Sequence, residues 1–142
     1  MAHEFVKGFF SNNEPAWHGL GTVLPNDVWP GREEAMKLAG HAWKVVEHGV
    51  SSSIGGVPMN LDGWKALFRD DTGEVLAIVR KSYGVIQNEV PYSLVEAVGS
   101  EGVKWHVGLT LQGGRCVVVG YLPDEWTAPG DTSPTLPFLT AL

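Results

Sequence analysis

Hydrophobic and polar positions alternate most regularly in the middle of the chain. Trp64, Ala66 and Phe68 alternate with Lys65, Leu67 and Arg69, the period of two that a strand with one face in a core requires. Asp70-Asp71-Thr72-Gly73 follows, a turn in which Asp side chains bond nearby backbone and Gly accepts a positive φ. Val75 to Val79 is apolar at every position, which predicts a return strand covered on both faces. Tyr83 to Asn88 reads as a third short strand leading into a helix. Asn88 stands at the cap position, Pro91 is tolerated in the first turn, and Tyr92, Val95 and Val98 recur at helical spacing with Leu94 alongside. Gly99 is expected to stop the helix as a left-handed residue.

The flanking sequence carries weaker patterns. Residues 1–15 show no clean period, although Phe9 and Phe10 are expected to pack and Ser11-Asn12-Asn13 reads as a turn. The first helix is expected over residues 31–40, with Glu33 and Glu34 in the turn where negative charge suits the dipole. Trp43 to Val46 reads as a strand, and Gly49 to Met59, rich in Ser and Gly, as a mobile connection. Val103 to Leu111 and Cys116 to Leu122 read as two strands joined at Gln112-Gly113-Gly114-Arg115. Residues 123–134 form an acidic, Pro-rich loop. Thr135 to Leu142 opens a further apolar run at which the sequence stops, which reads as the front part of a longer chain. The expected architecture is a single α+β domain over residues 1–142, an antiparallel sheet of about five to six strands with two helices on one side.

The chain has 142 residues, 16 acidic and 10 basic, for a formal net charge of −6. That balance argues against a broad nucleic-acid surface, which relies on clustered Lys and Arg, and leaves room for a local basic patch. One Cys excludes an internal disulfide framework. No apolar run approaches the ~18 residues of a membrane span, and the start has no signal-peptide pattern. A cytoplasmic protein without membrane association is expected. Eighteen Gly and nine Pro imply many turns, and six Trp imply large aromatic anchors.

Candidate chemistry is sparse. The five histidines form no metal-ligand pair at helical spacing. His18, in a turn rich in Trp and Gly, is the one that an enzyme would use; its plainer reading is structural hydrogen bonding. Cys116 and His106 fall on neighbouring expected strands, but a nucleophilic dyad there lacks a third, orienting group. Asp70 and Asp71 read as turn residues rather than paired carboxylates. No phosphate loop, nucleophile elbow or kinase set is present. The chain is therefore expected to be non-enzymatic, with no catalytic residues, no metal and no cofactor. Basic side chains at Lys65, Arg69, Arg80, Lys81, Lys104 and Arg115 interleave with aromatic ones, Tyr83 among them. On one sheet face, such a pattern grips single-stranded nucleic acid by charge and stacking; otherwise the rings are core and the charges solvated.

Pro15-Ala16-Trp17-His18-Gly19-Leu20-Gly21 resembles the opening of a phage/plasmid-like family. The resemblance continues through Ala39-Gly40, Trp43-x-Val45, Arg69-Asp70, Thr72-Gly73, Tyr83-x-Val85-Ile86-Gln87-Asn88-Glu89, Gly113-Gly114-Arg115 and Tyr121-Leu122-Pro123. Family members are typically longer, so this chain matches their N-terminal part. The resemblance implies no catalytic residues and marks Trp17, His18, Gly19, Gly21, Tyr83, Gln87 and Asn88 as motif positions. It also implies a link to DNA metabolism, since some members have been likened to RecT-like single-strand-annealing proteins. The expected function is single-stranded DNA binding or annealing by a phage protein in its host's cytoplasm. The alternatives are modulation of a host protein and, more weakly, an enzyme built on His18. Self-association through the apolar C-terminal strand is expected, because unpaired edges recruit partners.

Overall fold

The computed structural model describes residues 5–11, 20–25, 27–99, 102–123, 127, 129–132 and 138–141. The chain is α+β and mostly strand, and it divides into two units, residues 1–42 with 88–142, and residues 43–87. The expected single sheet is instead two sheets, one of five strands and one of three. The middle third pairs only with itself, as a three-stranded meander, and the later strands pair with the chain's beginning.

In the first unit, β1 (Phe5–Ser11) pairs in parallel with β2 (Thr22–Leu24). Three strands from later in the chain complete the sheet. These are β6 (Lys104–Leu111), β7 (Arg115–Tyr121) and β8 (Phe138–Ala141), numbered in chain order, and the spatial order is β2-β1-β6-β7-β8. A 3-10 turn at Gln112–Gly114 links β6 to β7 where a hairpin turn is expected. The helices are α1 (Arg32–Ala39) and α2 (Glu89–Gly99). One buried cluster joins Ala35 and Ala39 of α1, Tyr92 and Val95 of α2, and Phe9, Trp105 and Val118 of the sheet. Phe9 pairs with Gly108, Gly108 with Val118, and Trp105 with Gly120, so these residues share a face and both helices lie on it.

Two glycines make that approach possible. A Cβ on Gly108 would meet the Ala39 methyl at 2.7 Å, and one on Gly120 would meet Val95 at 3.0 Å. Arg32 ties the helices together by reaching Ser93 at 3.0 Å and Glu96 at 3.1 Å. Past the end of α1, the Thr110 hydroxyl donates to the Ala39 carbonyl at 2.7 Å, supplying one of the acceptors' partners that a helix end lacks. α2 buries Tyr92, Val95 and Gly99, while Val98 and Leu94 are exposed. The expected Tyr92/Val95/Val98 stripe is thus rotated toward Gly99, which is helical rather than a left-handed stop and lies against Val103.

The second unit is a meander of β3 (Val45–Ile54), β4 (Val57–Arg69) and β5 (Val75–Arg80), in that order. The Ser/Gly stretch expected to be a mobile connection is strand on both sides of Gly55-Gly56. Those glycines sit at φ 58° and 83°, both positive, as a two-residue type I′ hairpin demands. β5 pairs only with Trp64 to Phe68, so the far end of the β3–β4 hairpin is a two-stranded ribbon. β5 is also an edge strand, with Val75, Leu76 and Ile78 exposed, and so is not covered on both faces. Residues 83–87 form no strand. The Gln87 side-chain amide takes the place of one, accepting from the Val45 N–H at 2.9 Å and donating to its carbonyl at 3.0 Å.

Candidate interaction surface

The pleat sorts the residues of the 43–87 sheet onto two faces. Val45, Glu47, Lys65, Leu67, Arg69, Ala77 and Val79 share one, by their pairing across the three strands. Lys65 is consumed there: its ammonium lies 2.9 Å from the Glu47 carboxylate and 2.7 Å from the Tyr83 carbonyl. Arg69 is consumed too, donating to both Asp71 oxygens at 2.8 and 2.9 Å and lying 4.4 Å over the Trp43 ring. That bidentate bond holds the Asp71 carboxyl below the usual carboxylate range. Asp70 accepts from the Lys44 N–H, and Thr72 from the Glu74 N–H. Both aspartates are therefore turn residues, as their spacing implies.

The other face carries Val46, His48, Trp64, Ala66, Phe68, Ile78 and Arg80. Along β3 it continues at period two into Val50, Ser52 and Ile54. Ser52 pairs with Met59 and Ile54 with Val57, and Leu61 carries on the alternation in β4. The parity of β4 would otherwise be wrong. Between the pairs Gly49–Lys65 and Ser51–Asn60, β4 has extra residues, and this irregularity swings Val57, Met59 and Leu61 to the face of Trp64. Ile54 is 66% exposed, Val57 63%, Met59 50% and Ile78 58%. Val75, Leu61 and Trp64 are also open, and Arg80 lies 4.0 Å over the Trp64 ring. The result is an apolar strip running from the hairpin tip to β5.

The basic positions expected on one face are not brought together as a set. Lys65 and Arg69 share a face with their own partners, and Arg80 occupies the opposite one. Lys81 and Tyr83 lie in the exposed segment after β5. Lys104 and Arg115 belong to the other sheet, at opposite ends of the β6–β7 hairpin, since Lys104 pairs with Tyr121 and Arg115 with Leu111; that separation is roughly 24 Å at the strand rise. Lys104 lies 5.4 Å over the Trp29 ring.

Among the motif positions, Trp17, His18 and Gly19 lie outside the described residues. Gly21 has a φ of 97° beside Phe10, Gln87 clamps Val45, and Asn88 donates to the His41 carbonyl at 3.2 Å. Cys116 pairs with Thr110, roughly 13 Å along the strand from His106, so the two do not form a dyad. His106 is the extra residue of a β6 bulge, and its ring lies 4.6 Å from Tyr121 and 6.2 Å from Trp29. Burial lowers its pKa.

One buried polar pair has no counterpart in the sequence reading. His41 is almost wholly buried, with Nε2 2.8 Å from the Leu109 carbonyl and Nδ1 2.8 Å from the Tyr92 hydroxyl. A carbonyl only accepts, so Nε2 carries the proton and Nδ1 accepts from Tyr92. Burial lowers the His41 pKa, partly offset by the Leu109 bond, and it pushes the Tyr92 phenol far up. The pair closes a core rather than lining an opening. The apolar strip was legible in principle: Val57, Met59 and Leu61 recur at period two after a Gly-Gly pair, with Val50 and Ile54 before it, the sequence signal of a hairpin. The serines between the apolar positions disguise it as a loop.

Among the described residues, no group of three His, Cys, Asp or Glu is placed to hold a metal ion, and no helix is long and apolar enough to cross a membrane. Compared with family models, curated proteins and solved structures, the chain matches none.

Proposed function

We propose that this chain is a non-catalytic interaction protein that docks a protein partner on the apolar face of the β3–β4–β5 sheet. The observation that carries this reading is the strip of Ile54, Val57, Met59, Trp64, Val75 and Ile78 left open on one face. Soluble proteins seldom leave a contiguous apolar area of that extent without a use for it. Charge favours a protein over a nucleic acid: the net charge is −6, and Lys65 and Arg69 already have carboxylate partners. A photo-cross-linking residue at position 78 is expected to give discrete protein adducts in cells that make the chain. The same probe at position 33, an exposed site on α1, is expected to give none. Equal labelling from both positions, or from neither, refutes the reading.

A second reading keeps single-stranded DNA as the ligand of a phage- or plasmid-type protein in DNA metabolism. It is favoured by the Arg80 guanidinium stacked on Trp64 and by the exposed Tyr83 ring, since base stacking beside a cation is how single strands are gripped. Binding of a fluorescent oligonucleotide that weakens steeply with salt supports it. Absence of binding at low salt removes it.

A further inference from the structure

We infer that the β3–β4 hairpin between Gly49 and Leu61 is a self-association arm, whose occupant is the same arm and sheet face of a second copy of this chain. The inference rests on reading this face as a protein-docking surface, and it names the partner. Charge argues for a second copy. The chain is 18% charged, yet residues 49–61 carry no Asp, Glu, Lys or Arg, while Glu47 and Asp62 flank them. Two copies at −6 each repel wherever their acidic surfaces meet; the arm itself carries no charge to oppose, and the Arg80 guanidinium over Trp64 adds a positive charge to the rest of that face. A polyanion or a strongly charged protein finds nothing on the arm with which to pair.

Area argues the same way. The open side chains of Ile54, Val57, Met59, Leu61, Trp64, Val75 and Ile78 offer on the order of 500 Å² per copy, from the areas aliphatic and indole side chains carry. Face to face, two copies remove on the order of 1,000 Å², the size at which specific association begins. A two-fold contact requires a self-complementary patch, and aliphatic side chains sharing one face of the ribbon meet that requirement, since each finds apolar surface on the partner copy. Gly55 and Gly56 let the turn at the ribbon's tip close without backbone strain.

The test is sedimentation equilibrium of the full chain over a wide concentration range. The wild type is expected to show a reversible monomer–dimer equilibrium. Ile54→Asp and Met59→Glu, both at exposed positions, are expected to raise the dimer dissociation constant at least tenfold while circular dichroism and melting stay those of the wild type. Ser53→Asp, on the opposite face of the ribbon, is expected to leave the constant unchanged. A wild type that stays monomeric at the highest concentration overturns the inference. So does a dimer indifferent to Ile54→Asp and Met59→Glu, or one weakened equally by Ser53→Asp. In those cases adducts to other proteins from position 78 still uphold the docking surface, whereas their absence removes both.

Discussion

Replacing Tyr92 by Phe removes one oxygen and keeps the ring that packs 4.8 Å from Trp105. What is lost is the donor to His41 Nδ1, an acceptor buried where water does not reach it. Leaving a buried polar atom unpaired costs about 1–3 kcal/mol. At roughly 4 °C per kcal/mol for a chain of this size, the melting temperature falls by about 4–12 °C. The pH dependence is the sharper signature. His41 is held neutral when folded, with its pKa below the ordinary 6.5. Wild-type stability from this group is therefore fully present above about pH 6.5 and is lost as pH falls below it, because the unfolded chain takes up the proton first. On protonation Nδ1 becomes a donor, and the Tyr92 hydroxyl can turn to accept from it; Phe offers the imidazolium no such partner, so the gap to wild type does not narrow on acidification. His106 titrates in the same sense in both proteins, which is why the gap, rather than either curve, is the quantity to follow. Thermal melts by near-ultraviolet circular dichroism from pH 8 to pH 5 measure it. A variant that melts with wild type at pH 7.5, or a gap that closes toward pH 5, refutes the hydrogen-bond assignment.

Three further outcomes are expected. Gly108→Val drives a side chain into Ala39 and Phe9, and overpacking of this kind destabilises by about 1–3 kcal/mol or more; a denaturant midpoint equal to that of wild type would show that α1 does not lie against β6. Ser11 is fully buried and its hydroxyl has no partner among the described residues, so Ser11→Ala is expected to stabilise by about 1 kcal/mol in urea melts, and a loss of stability would reveal a bond to that oxygen. Gln87→Ala strips Val45 of both backbone partners at a cost of about 1–2 kcal/mol, seen as faster hydrogen exchange at the Val45 amide, and unchanged exchange there counts against the clamp.

Local chemistry determines a good deal of this fold. Trp64 to Arg69, the Asp-Asp-Thr-Gly turn and the return through Val79 are legible because alternation and turn residues act over a few positions. The same holds for α1 with its acidic first turn and for the β6–β7 pair. Which strand neighbours which was not legible. β1 lies beside β6, across nearly the whole chain, because Gly108 and Gly120 open a face that two helices fill, and a contact between distant segments leaves no trace in the periodicity of either. The faces of the middle sheet were likewise decided by pairing: extra residues in β4 reverse its parity and place Met59 on the side of Trp64, and a shift of one residue moves a whole set of side chains across a sheet. Charge followed the same division. The sequence by itself determined that Lys65 and Arg69 are positive and near aromatic rings. Asp71, two residues beyond Arg69, was near it in sequence already; only the tertiary structure brought Glu47 to Lys65 across the strands, because attraction between charges depends on distance in space rather than on separation along the chain.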